Sequence, residues 1–305
     1  MTRFLVNRLL QMVGVFLIIS MIVFMLLVLT GDPIELLLPP AADINQVEAL
    51  RTQLGLDRPW YVQYAKFVRS ALRGDLGTSF YFHEPAVRLV LQRLPASLEL
   101  VVWTMVVSTL LAIPLGVLAA TRCGTWLDRG VLVGSLVGIS APTFWIGIVL
   151  IAFFVVALGW LPSSGRGGWE HLVLPVATLA FYRVALFIRL IRAGMLDVLG
   201  QDYIRTARAK GLFERLVVYR HALKNTLIPF VTISGLQMGG LIAFAIVTEK
   251  IFAWPGMGRL LLISIERLDY PVVVAYAIVT AALFVVINLT VDLLYALIDP
   301  RIRYE

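Results

Sequence analysis

Long apolar runs separated by short polar clusters dominate the hydropathy pattern of this 305-residue chain. A helix needs roughly 20 apolar residues to cross the ~30 Å hydrocarbon core of a bilayer. Six runs qualify, at about 9–30, 98–121, 131–158, 172–192, 226–248 and 272–297. The pattern predicts an all-α polytopic protein of six spans. It shows no internal repeat, low-complexity tract or linker, so residues 1–305 read as one transmembrane domain. The third run contains Pro142, which predicts a kink there, since neighbouring helices can satisfy the carbonyl that a proline frees. Arg183 and Arg189 interrupt the fourth. The first run follows Arg3 and Arg8 as a signal peptide would. It is too long for one, however, and enters TGDP without a small-residue cleavage site, so it reads as a retained span.

Two polar intervals carry helical signals of their own. In the extracytoplasmic loop, 31–97, DINQVEALRTQLG offers Asp43 as a helix cap and Gly55 as a stop, and PWYVQYAKFVRSALRG opens on proline and closes on glycine. Trp60, Tyr64, Phe67, Ala71 and Leu72 share one face of the second helix. That stripe suits a helix lying on the outer membrane surface or on the bundle, either covering the span ends or offering a platform to a partner. The other interval, 193–225, reads as two short helices. Asp202 is placed to cap the first, Arg208 and Lys210 sit where the helix dipole favours cations, and Gly211 supplies the left-handed residue that ends it. Leu212, Leu216, Tyr219 and Leu223 recur at helical spacing in the second and leave Arg215, Arg220 and Lys224 on other faces. Ala207 and Ala209 leave room for close backbone approach. The loop therefore has the form of a knob that enters a groove on another protein.

Composition agrees with a membrane protein: 60% of residues are hydrophobic and 15% charged, with a mean hydropathy of +0.88. A net charge of +7 in a nucleic-acid binder would sit on a solvated, aromatic-studded domain, and the pattern contains none. Topology explains the charge instead. With the N-terminus inside, the cytoplasmic parts hold Arg3, Arg8, Arg122, Arg129, the basic residues of 193–225, Arg301 and Arg303, whereas the short outer loops hold only Arg166, Lys250, Arg259 and Arg267. Both termini are then cytoplasmic. The lone Cys123 cannot close an intrachain disulfide, and no two of the three histidines stand at metal-ligand spacing.

Inside the spans, Arg183 stands about nine residues, roughly 13 Å of helix, from Arg192 at the inner boundary. A cation at that depth costs ~2.5–3.5 kcal/mol on insertion scales, so it either makes a structural pairing or meets an anionic cargo along the path. Gly130, Gly134 and Gly138 recur every fourth residue on the third span and form a close-packing face, within the bundle or toward a partner. An ion-coupled secondary carrier would need an ion-coupling group inside the spans, but the candidates Glu99, Glu249 and Asp292 lie near span ends. His83, His171 and His221 fall in loops or at a boundary and no aspartate pair lies in the spans, which excludes the usual intramembrane protease sites. A plain channel gives no reason for the cytoplasmic knob.

The stretch DYIRTARAKG resembles the coupling loop of ABC-importer permeases, whose general pattern is Glu-Ala-Ala, three residues, Gly. At those positions stand Arg205, Thr206, Ala207, then Arg208, Ala209, Lys210, then Gly211. The departure is similar to the dipeptide/oligopeptide/nickel branch of these binding-protein-dependent permeases. The same branch is resembled in TGDPIELL, LGLDRPWYVQY, GDLGTSF, FAWPGMGRLL, DYPVV, the late Pro229 of LIPFV and the terminal DPRIRY. The resemblance implies a permease subunit in the bacterial cytoplasmic membrane that imports di- or oligopeptides, with glutathione or nickel chelates as alternative cargo. It further implies a second homologous permease, two ATP-binding subunits and an extracytoplasmic solute-binding protein as partners. Tyr203, Arg205, Thr206, Ala207, Arg208, Ala209, Lys210 and Gly211 would then make the ATPase contact. The chain has no G-x-x-x-x-G-K-[ST] and no Gly-Lys dipeptide, so it lacks that phosphate cradle. It would bind no cofactor itself, and ATP and Mg would belong to its partners.

Overall fold

The computed structural model describes residues 13–25, 48, 52 and 57–298. The proposed helix cap Asp43, its stop Gly55 and the flanks of the first apolar run lie outside the described residues. Ten helices are defined here in chain order. Val13–Met25 is α1, Trp60–Leu72 is α2 and Ala86–Thr121 is α3. Trp126–Ser140 is α4 and Thr143–Ala157 is α5, whose second half widens into a π-helix. Glu170–Leu199 is α6 and Asp202–Ala209 is α7. Residues 214–251 form α8, which passes through a π-helical stretch at Val217–Leu223. Met257–Glu266 is α9 and Tyr270–Ile298 is α10.

Among the described residues four helices are long and apolar enough to cross a membrane, and α4 with α5 makes a fifth if the bent pair is one span. The kink expected at Pro142 is a full break, with the two halves meeting at 102°. Its cause is local. Proline clashes with an α-helical residue before it, and Ala141 is accordingly extended at φ −75°, ψ 128°. Pro142 then serves as the N-cap of α5.

The described residues form two compact units, one drawn from Met1–Gln92 and Leu261–Val285, the other from Arg93–Leu260 and Val286–Glu305. In the first, Val23 of α1 joins Val274 and Ile278 of α10, with Phe16, Ile19, Phe67, Leu76 and Ala277 around them. In the second, Phe187, Ile188, Ile191 and Met195 of α6 meet Ile204 and Ala207 of α7 and Val217, Val218 and Ala222 of α8.

That second core corrects the expected pair of short loop helices. Only α7 is a separate short helix, because α6 continues to Leu199 and α8 begins at Glu214. The expected apolar face also shifts. Leu216 and Tyr219 are exposed, whereas Val217, Val218 and Ala222 are buried. Leu212 and Leu223, the two ends of the expected face, still pack against this core.

Candidate functional site

The helix α7 is short but fixed at both ends. Asp202 is its first residue rather than its cap; extended Gln201 precedes it and makes no side-chain capping bond. The Asp202 carboxylate instead meets Arg205 at 3.4 Å in a pair open to solvent, a contact worth little. Thr206 Oγ1 donates to the Asp202 carbonyl at 3.0 Å. At the far end Gly211 N donates to Arg208 O (2.9 Å) and Leu212 N to Ala207 O (3.4 Å), the paired bonds of a Schellman stop. Gly211 has φ +77°, the left-handed conformation that this stop requires and that side chains disfavour.

Two side chains root α7 in the chain. Ile204 and Ala207 are buried in the core formed with α6 and α8. Ala207, expected to face a partner, is thus covered by this chain's own residues. Tyr203, Arg205, Thr206, Arg208, Ala209, Lys210 and Gly211 are exposed. Asn225 of α8 donates to the Tyr203 hydroxyl at 2.7 Å. Arg208 makes a two-pronged contact with Glu214, Nη2 to Oε1 at 2.8 Å and Nε to Oε2 at 3.1 Å. Displacement of α7 must therefore pull on α6 and α8. Beside it Phe213, absent from the sequence-derived site, is 87% exposed. Its signal was available: a large aromatic between a helix-ending glycine and a basic helix has no core to fill.

Arg183 is buried and donates through Nη1 to Gln237 Oε1, which joins α6 to α8. Its guanidinium also lies 5.4 Å from the Tyr182 ring centroid. Of the three glycines on α4, Gly138 alone is tightly packed: an added Cβ would stand 2.6 Å from Ala185 Cβ. At Gly130 and Gly134 an added Cβ would meet nothing within 4 Å, so the expected continuous face reduces, within this chain, to one contact. Gly134 and Gly138 border an apolar cavity of about 430 Å³ whose walls include Leu111, Leu115, Phe181 and Ile188.

Three carboxylates, Glu249 among them, are structural. Asp128 accepts from Arg192 at 2.6 and 2.8 Å and from Gly124 N at 2.9 Å, which ties the start of α4 to α6. Glu249 is fully buried; it accepts from Ser97 Oγ at 2.6 Å and from Arg259 N at 3.0 Å. Ser97 Oγ in turn accepts from Met257 N at 2.8 Å, so the pair takes up orphan amides of the first turn of α9. Trp254 Nε1 donates to Ala96 O at 2.9 Å. The two glycines of FAWPGMGRLL are both tightly packed: a Cβ at Gly256 would overlap the Glu249 carboxyl, and one at Gly258 would stand 2.7 Å from Ile246 Cα. Asp269 of DYPVV accepts from Ser79 Oγ at 2.5 Å and Phe80 N at 3.1 Å of GDLGTSF. Two distant motifs thus form one joint.

Long apolar helices, with a short exposed helix rooted between two of them, define a multi-pass membrane protein. The chain belongs to the family described as binding-protein-dependent transport system inner membrane component, which matches residues 112–304, and the corresponding N-terminal family matches residues 1–101. It is a permease subunit of an ABC importer. The glutathione transport system permease protein GsiC of Escherichia coli (strain K12) is 42% identical over 100% of both chains. The protein of that name from Shigella flexneri serotype 5b (strain 8401) has the same identity and coverage. Among solved structures, the MetNI methionine ABC transporter in an inward facing conformation superimposes with a TM-score of 0.60 at 20% identity, over 71% of this chain and 99% of that one. An amino acid ABC transporter with histidines gives 0.52 at 17% identity, over 70% and 94%. At such identities the likeness is one of fold.

Proposed function

We propose that this chain forms half of the translocation path of an ATP-driven importer of small peptides, beside a second homologous permease. Two ATP-binding subunits dock on its cytoplasmic face, and an extracytoplasmic solute-binding protein delivers cargo. In this reading the protein is one membrane domain of six spans with both termini cytoplasmic, a topology supported by its distribution of Lys and Arg. ATP and its magnesium are handled by the partners. Glutathione, a tripeptide, is the cargo favoured by the full-length 42% similarity to GsiC.

The observation that carries the proposal is α7 itself, with Ile204 and Ala207 buried in the core while Tyr203, Lys210 and Phe213 project. Closure of the ATPases moves α7 as a rigid lever and, through that core, tilts α6 and α8 around the path. Phe213 and Tyr203 fill an apolar groove on the ATPase, and the basic residues around them meet acidic groups at its rim. Arg183 acts as a brace between the two moving spans.

Co-expression with the neighbouring genes, mild-detergent purification and mass spectrometry test this reading. The wild-type chain is expected to recover a second permease and ATPases. Phe213→Ala is expected to lose most of the ATPase, and Gly211→Pro to retain the complex while transport falls relative to ATP hydrolysis. Recovery of the wild-type chain alone, with transport driven by an ion gradient, would sink the proposal.

A further inference from the structure

The extracytoplasmic loop is neutral overall, yet its cations are concentrated. Between Asp57 and Asp75 lie Arg58, Lys66, Arg69 and Arg73 and no acidic residue. Such a cluster runs against the scarcity of Lys and Arg on the outer side of membrane proteins. The helix α2 and its C-cap residue Arg73 carry three of the four.

Helical spacing sorts the surface of α2 into three strips. Tyr64, Phe67 and Ala71 face the protein. The Tyr64 hydroxyl lies 2.8 Å from Ser20 Oγ and donates to Leu17 O at 3.2 Å, and the rings of Tyr64 and Phe67 lie 5.5 and 5.9 Å from that of Phe24. A second strip, Tyr61, Ala65 and Leu72, is exposed, Leu72 at 77%. Lys66, Arg69 and Arg73 form the third, also exposed. Leu17 and Ser20 lie inside the apolar run 9–30, and Phe67 packs with Val274 and Ile278 in the opening turns of α10. The helix is therefore held beside membrane-level residues rather than above them.

We propose that α2 lies in the outer interface of the bilayer and binds anionic phospholipid. Tyr61, Ala65 and Leu72 enter the acyl region, while Arg69 and Arg73 hold phosphate oxygens of the headgroups. Three features support this occupant. The free apolar strip adjoins a cationic strip, as in helices that lie in the interface. The cations, at and just past the C-terminal end of α2, complement a phosphate layer above the level at which Phe67 packs against the opening turns of α10. Trp60 and Tyr61, whose rings lie 6.0 Å apart edge to face, start the helix with the aromatic type enriched at that level.

The test uses the complete chain with its partners in vesicles of phosphatidylcholine, with and without phosphatidylglycerol. A nitroxide is placed at Leu72→Cys or, separately, Arg69→Cys, each in a Cys123→Ser background. The label at position 72 is expected to be relaxed by oxygen and that at 69 by a water-soluble nickel chelate. Phosphatidylglycerol retained on purification is expected to fall about fivefold for each of Arg69→Gln and Arg73→Gln. A position-72 label in water, shielded only when the solute-binding protein is added, would overturn the proposal in favour of a docking platform. Retention unchanged in both arginine variants would overturn the headgroup assignment. Both substituted strips are exposed, so failure to fold is not expected to blur the outcome.

Discussion

Replacing Glu249 separates a structural carboxylate from an incidental boundary charge. In the folded chain its two oxygens accept from Ser97 Oγ at 2.6 Å and Arg259 N at 3.0 Å, in a fully buried setting. Glu249→Ala leaves both donors without an acceptor, and each unsatisfied buried donor costs about 1–3 kcal/mol. Loss of a carboxylate beside the N-terminus of α9 adds about 0.3–1 kcal/mol. The expected destabilisation is about 2–7 kcal/mol. Glu249→Gln keeps the volume and one acceptor but turns an NH₂ toward the other donor, so about half that loss is expected. Thermal unfolding of the purified complex in detergent measures both, with Ser97→Ala and the double variant completing a cycle. If the hydroxyl and the carboxylate act as one unit, Ser97→Ala with Glu249→Gln is expected to cost less than the two singles summed, by about 0.5–3 kcal/mol. Strict additivity, or a stable Glu249→Ala protein, would refute the reasoning.

Gly138→Val is expected to destabilise by several kcal/mol, since even its Cβ would stand 2.6 Å from Ala185 Cβ. Gly130→Val, where an added Cβ meets nothing within 4 Å, is expected to change the unfolding temperature of the isolated chain little; equal losses would contradict the packing described. Arg183→Ala leaves Gln237 without the donor it holds in the core and is expected to lower stability and uptake for every cargo alike. Selective loss of only carboxylate-bearing cargo in transport assays would move Arg183 from brace to path.

The location of α7 was legible in the sequence, but its packing was not. Asp202, Gly211 and the cations near the helix end announced a helix and its stop, because caps and stops are local events. Which face would be buried depended on α6 and α8. Hence Ala207 seemed available to a partner and proved to be core, while Phe213, two residues past the stop, went unread. Of the apparent face of Leu212, Leu216, Tyr219 and Leu223, only the two ends pack on the core; the middle pair is exposed where the chain enters a π-helical stretch at Val217, of which periodicity alone gives no warning.

Chain hydropathy by itself determined that this is a helical membrane protein, since an uninterrupted apolar run has no other stable place for its backbone than a helix within a bilayer. Motifs in order along the chain pointed to the importer family without reference to shape. Only the tertiary structure decided what the buried charges do. Glu249 reads in sequence as a charge near a span end and Asp269 and Asp128 carry no signal of their own, yet each is a joint between segments up to 190 residues apart. A buried carboxylate survives only where donors converge on it. Convergence is a property of three-dimensional packing, which a linear pattern does not contain.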